Sequence, residues 1–236
     1  MIMNKENELI VKYNIGEDEI KLTPTIVQEY ITSNSNVPIT NKEFRLFAEL
    51  CKARKLNPFL NEAYLIKYSA NSPATMVVGK DAIIKRAVKH SEFNGMQSGV
   101  IVINNDDEVI ERQGTFIRSG EKLAGGWARV YRKDWEYPIY QSVSFAESAQ
   151  RKGDGELNAN WKKQPATMIE KVAKVRALRE TFVEELGGMY DAEEMNIELP
   201  SKNVQEVEII KQDEETIEEV NKEKQKEITF NELQDN

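Results

Sequence analysis

Apolar and polar positions alternate loosely over residues 7–22, and the turn residues Gly16-Glu17-Asp18 at their centre predict a short hairpin. Thr23-Pro24 then supplies a cap and first turn for a short helix reaching about Ile31. Residues 32–39, rich in Ser, Asn and Pro, read as a linker. From Thr40 the period changes. Thr40 and Glu43 have capping-box spacing, and Phe44, Phe47, Ala48 and Cys51 form an apolar stripe running to about Lys55, with Asn57-Pro58 as the stop. Tyr64 to Tyr68 and Thr75 to Val78 read as strands. A helix from about Asp81 to His90 should bury Ile83, Ile84, Ala87 and Val88.

The middle of the chain returns to a period of two. Gly99 to Ile103 and Glu108 to Gln113 flank Asn104-Asn-Asp-Asp107, a hairpin signal. Leu123 to Arg132 and Tyr137 to Val143 fit two further strands, turning through Lys133 to Glu136. Ser144 with Glu147 repeats the capping-box spacing, and residues 152–160 form a loop. Strands cluster in the middle with helices around them, which predicts an α+β fold with central antiparallel strands.

The last long periodic segment is the most informative. Asn160-Trp-Lys-Lys-Gln-Pro165 runs into a helix with room to continue to Gly187-Gly188. At roughly 100° per residue, Met168, Val172, Val175, Phe182 and Leu186 share one arc, and Arg179 falls in its middle. A guanidinium among core positions needs an anion or a set of acceptors. Its partner is either a phosphate or a buried carboxylate, with Glu147 one candidate. Lys171 and Lys174 edge the arc, and Trp161, Lys162 and Lys163 lie just upstream. Cations beside an aromatic ring can grip phosphates and stack a base, so this segment reads as one wall of a nucleic-acid groove. The plainer alternative for Trp161 is a core tryptophan.

Two more basic sets accompany it. Lys80, Lys85, Arg86 and Lys89 lie on and before the second long helix, where a merely solvated face is the competing reading. Arg129, Arg132 and Lys133 interleave with Tyr131 and Trp135, a pattern suited to a single-strand platform or to packing across a sheet.

Composition narrows the chemistry. One cysteine, Cys51, and one histidine, His90, exclude an intrachain disulfide and Cys/His zinc sites within one subunit. No signal-peptide pattern or membrane-length apolar run is visible, so a cytoplasmic protein without membrane contact is expected. The net charge of −8 disguises a contrast between regions. Residues 191–236 hold 15 acidic and 5 basic residues, which leaves the remainder slightly basic. No Walker-type phosphate loop occurs, since Gly126-Trp127 stands where Lys and a hydroxyl residue belong after Gly120 and Gly125. Glu19-Ile-Lys21 matches a fragment of nuclease metal sites, which an exposed hairpin explains better.

Several ordered motifs together resemble phage recombination proteins of the RecT/Bet type. They are Leu56-Asn-Pro-Phe59, the strand around Tyr64-Leu-Ile66, Val77-Val-Gly-Lys-Asp81, Gly125-Gly-Trp-Ala-Arg-Val-Tyr-Arg-Lys-Asp134, Asn160 to Pro165, Arg176-Ala-Leu-Arg179 and Gly188-Met-Tyr-Asp191. The resemblance spans about residues 40 to 195. It implies ATP-independent binding of single-stranded DNA and annealing of complementary strands through a duplex intermediate. It also implies a fold akin to eukaryotic Rad-type annealing proteins, and assembly into rings or helical filaments with DNA along the oligomer. A phage exonuclease and the bacterial host's single-strand binding protein are the implied partners. No catalytic residue, cofactor or dedicated metal site is expected, with Mg²⁺ at most modulating annealing.

On this reading residues 1–39 are an N-terminal segment available for oligomer contact, 40–195 the DNA-binding and annealing core, and 196–236 an acidic, disordered tail for partners. Val204, Val207, Ile210, Ile217 and Val220 give that tail a faint helical stripe. Two other functions compete: a metal-dependent DNA-processing nuclease, and an adaptor that coats DNA without annealing it.

Overall fold

The computed structural model describes residues 9–34, 36–195 and 197, all within one compact unit. The fold is α+β, with three antiparallel sheets and helices packed on them. Strands β1 (Val11–Ile15) and β2 (Asp18–Leu22) form the N-terminal hairpin, turning at Gly16 with φ 63°. Thr23 caps a short helical segment that begins with α1 (Pro24–Ile26) and ends in a π turn, Val27–Ile31. Tyr13, Ile20, Leu22, Val27 and Ile31 belong to the main core, and the Tyr13 hydroxyl donates to the Leu56 carbonyl at 2.6 Å.

Helix α2 (Asn41–Ala53) starts with the capping box in both directions and buries the four stripe residues Phe44, Phe47, Ala48 and Cys51. Asn57 caps a single 3₁₀ turn, Pro58–Leu60, which leads into β3 (Ala63–Ile66), paired with β4 (Thr75–Val78). Glu43 reaches beyond its own cap: it accepts from Lys67 Nζ at 2.7 Å and from the Ala74 amide at 2.9 Å. The Lys67 side chain is only 2% exposed, so Glu43 is the anion that makes its burial tolerable.

Helix α3 (Lys80–Lys89) buries Ala82, Ile83 and Ala87. The buried arc is centred on Ala82, Ile83 and Ala87, so Ile84 is only half-buried and Val88, expected inside, is 52% exposed. The main sheet follows, in the order β6–β5–β7–β8: β5 (Phe93–Ile103), β6 (Val109–Gln113), β7 (Lys122–Arg132) and β8 (Ile139–Ser144). Short helix α4 (Phe145–Ser148) follows Ser144, but no side-chain cap bond forms there, so the second capping-box expectation fails.

Helix α5 (Ala159–Lys163) occupies the end of the expected loop, capped by the Asn158 side chain. Helix α6 (Pro165–Thr181) begins on Pro165 as anticipated, then stops at Phe182 instead of reaching the glycines, and α7 (Val183–Leu186) continues after the break. The Thr181 hydroxyl donates back to the Ala177 carbonyl at 2.7 Å, a bond that weakens a helix end. Gly126 lets α6 lie directly on the sheet: a Cβ there would stand 2.6 Å from the Ile169 carbonyl oxygen. Helix α6 therefore covers one face of β7, and strand alternation turns Trp127, Arg129 and Tyr131 to the other.

Candidate nucleic-acid interface

The nominated cations separate into distinct places. Lys80 and Lys85 of α3 meet Lys171 of α6 around a cleft of about 350 Å³. Leu60, Asn61, Glu62 and Tyr64 form the opposite wall, and Gly79, Asp81 and Ala82 complete it. Gly79 caps α3 without a side-chain acceptor, so the first-turn N–H groups and the positive end of the helix dipole add to the lysines. Gly79 is also sterically required, since a Cβ would lie 2.5 Å from the Asn61 carbonyl oxygen. The result is a cleft lined by three lysines, with the Tyr64 ring in its wall. Sequence reasoning placed Leu60 and Tyr64 in no site. The 65% exposure of Leu60 is set by the 3₁₀ turn and carries no signature in the sequence.

Within this cleft each lysine already has a carboxylate. Lys80 pairs with Asp81 at 3.0 Å and Lys85 with Glu62 at 2.7 Å, while Lys171 contacts Glu193 closely and Asp191 at 3.4 Å. Burial, with Asp81 and Glu193 nearby, pushes the Tyr64 hydroxyl above its ordinary value. Asp191 is 1% exposed and its Oδ2 accepts no hydrogen bond. Burial drives its carboxyl well above the usual range, with Lys171 opposing the shift.

Farther along α6, Arg179 holds Glu194 through both terminal nitrogens at 2.5 Å and lies 4.5 Å from the centre of the Tyr190 ring. Its carboxylate partner is thus Glu194 and not Glu147, the candidate suggested by the sequence. Arg176, part of a quoted motif but not a nominated contact, approaches Glu194 at 3.6 Å. Lys174 pairs with Glu170 at 2.9 Å, and the latter also accepts from Ser98 of β5.

The third basic set lies elsewhere. Arg129 is on the sheet face opposite α6, stacked between the rings of Trp127 (4.7 Å) and Tyr140 (4.8 Å). Glu111 holds it at 2.8 Å and accepts from the Tyr140 hydroxyl at 2.6 Å. The Trp127 indole donates to the Arg112 carbonyl, which passes so close that Gly99 beneath it has no room for a Cβ. Arg132 pairs with Asp134, donates to the Thr181 carbonyl and stacks on Trp135. Lys133 lies beyond the end of β7 and donates to the Ser91 carbonyl.

Trp161 does not form a stacking surface. It is fully buried against Phe145, ring centres 5.8 Å apart, and its indole nitrogen has no hydrogen-bond partner. The core alternative describes it, because α5 directs the ring inward while Lys162 and Lys163 on the same turn stay exposed. Of these two, Lys162 makes a loose pair with Glu156 at 3.5 Å. Lys89 is exposed, and Arg86 is half-buried, with burial lowering its affinity for the proton.

No helix among the described residues is long and apolar enough to cross a membrane. Compared with known proteins, the chain matches the family described as the RecT family over residues 17–215. No curated protein matches it.

Proposed function

The chain belongs to the RecT family, the single-strand annealing proteins of phage recombination, and on that premise we propose that it binds single-stranded DNA and anneals complementary strands without nucleotide hydrolysis. The observation that carries the site assignment is the cleft where Lys80, Lys85 and Lys171 converge on the uncapped start of α3. Phosphates there gain both lysine charge and backbone donors. Leu60 and Tyr64 offer apolar and aromatic surface to a base on the same strand. Lys162, Lys163 and Lys89 are exposed and add positive charge to the surface.

Annealing needs no fuel, because each stacked step of the product duplex is downhill by about 1.4 kcal/mol. The protein's task is to hold one strand by its phosphates with base edges free for a partner. One cleft neutralises few phosphates, so a chain of copies along the strand supplies the affinity. Residues 1–39 fit the role of a contact between copies, and the acidic segment after residue 195 that of a dock for an exonuclease or a host single-strand binding protein, in the bacterial cytoplasm. Arg129, on the opposite sheet face and locked by Glu111, fits a bracing role better than a place in this cleft.

Fluorescence titration with oligothymidine at a series of salt concentrations tests the site. Lys80→Gln with Lys85→Gln should weaken binding and flatten the salt slope by about 0.7 for each phosphate the variant no longer neutralises. An unchanged slope removes the cleft from the interface.

A further inference from the structure

Residues 190–195 lie as an acidic strap along α6. Glu193 and Asp191 hold Lys171, and Glu194 holds Arg176 and Arg179. Lys171 and Arg179 are eight residues apart, or about 12 Å along the helix axis. The strap thus runs from the wall of the cleft along the basic side of α6.

The segment is secured without its glutamates. Met189, Ala192 and Ile197 are buried, the Val78 amide donates to the Tyr190 carbonyl, and the Gln150 side chain donates to the carbonyls of Ala192 and Glu193. Asp191 accepts the Glu194 amide, which fixes the turn, and it remains beside Lys171 whatever Glu193 does. The backbone anchors therefore do not depend on the Glu193 and Glu194 carboxylates, which are 11% and 3% exposed and held by their cations. A carboxylate on a guanidinium or ammonium makes the same charge-assisted hydrogen bonds as a phosphate.

We propose that Glu193 and Glu194 are built-in competitors of DNA: in the free protein they occupy the cations Lys171, Arg176 and Arg179, and a bound strand takes their place. This rests on the DNA-binding reading above and adds its regulation. The strap sets a threshold, because a strand must displace two carboxylates to use the full basic row. It also leaves α6 with little net charge until DNA arrives, which discourages other polyanions.

The test is oligothymidine affinity of the full chain carrying Glu193→Gln and Glu194→Gln, with folding followed by circular dichroism. The expected result is binding roughly tenfold tighter, with a salt slope steeper by about 0.7 for each further phosphate engaged. Equal or weaker affinity in a folded variant overturns the proposal. If the double variant does not fold, Glu193→Gln alone decides, since Asp191 still partners Lys171 and Glu194 is untouched. Tighter binding then supports the strap, and unchanged binding overturns it. Absence of binding in wild type and variants alike overturns the DNA-binding reading itself, a result distinguishable from equal binding by both.

Discussion

Trp161 and Arg179 illustrate what individual residues reveal before a fold is known. Both stand out in the sequence as unusual, one for its position beside two lysines and one for a charge on an apolar arc. Their partners are not legible there, because a contact with Phe145 or Glu194 depends on how the chain returns on itself. The consequence is testable. Trp161→Ala should cost about 3–5 kcal/mol in urea unfolding, as for other large core aromatics. Trp161→Phe, which removes an unpartnered buried N–H, should cost much less and leave strand affinity unchanged; a Phe variant that folds but no longer binds would restore a direct contact for the ring. Arg179→Ala leaves Glu194 buried at 3% exposure with only Arg176 nearby. A loss of about 3 kcal/mol is expected in the same assay, from the uncompensated charge. A loss below about 1 kcal/mol, the range of an exposed pair, would mean that the pair contributes little.

Elements are more legible than contacts. The alternating segments form paired strands, and the Thr40–Glu43 signal is an observed capping box, since both depend on local chemistry. The expected end of α6 is wrong: Gly187-Gly188 is a strong stop, but the helix breaks earlier, at Phe182, after Thr181 bonds back on itself. The opposite sheet faces of Arg129 and α6 are also hidden in the sequence, because a period of two assigns residues to faces without saying which face a later helix will cover. Glu43 shows how a local cap becomes a tertiary anchor. Burial alone would raise its carboxyl, but hydrogen bonds from Lys67, Thr40 and Ala74 outweigh it and bring the value from 4.5 down to about 2. A lowered folded-state value stabilises the fold above the unfolded value, and that contribution is lost as pH falls from 4.5 towards 2. Glu43→Ala should lower stability at neutral pH by about 3–5 kcal/mol, since it strands the buried Lys67. The deficit relative to wild type should shrink in acid; a deficit that persists at about pH 2 would contradict this role.

At the scale of the whole molecule, a net charge of −8 coexists with a cleft of converging lysines because most acidic excess lies after residue 190. The tail from residue 198 onward lies outside the described residues, and so does its Val204-to-Val220 stripe. Truncation after Leu199 should leave strand binding intact or tighter, as it removes negative charge, and should lower recombination in cells if the tail docks a partner. Loss of annealing by the purified truncated protein would place the tail in the annealing machinery instead. The central claim is fuel-free annealing through the α3–α6 cleft. Its most direct measurement is the rate at which two complementary strands labelled for energy transfer pair in the presence of the purified protein, with no nucleotide added. Pairing well above the spontaneous rate, reduced by Lys80→Gln with Lys85→Gln, is the predicted result. Pairing at the spontaneous rate, or acceleration that appears only with ATP, would contradict it.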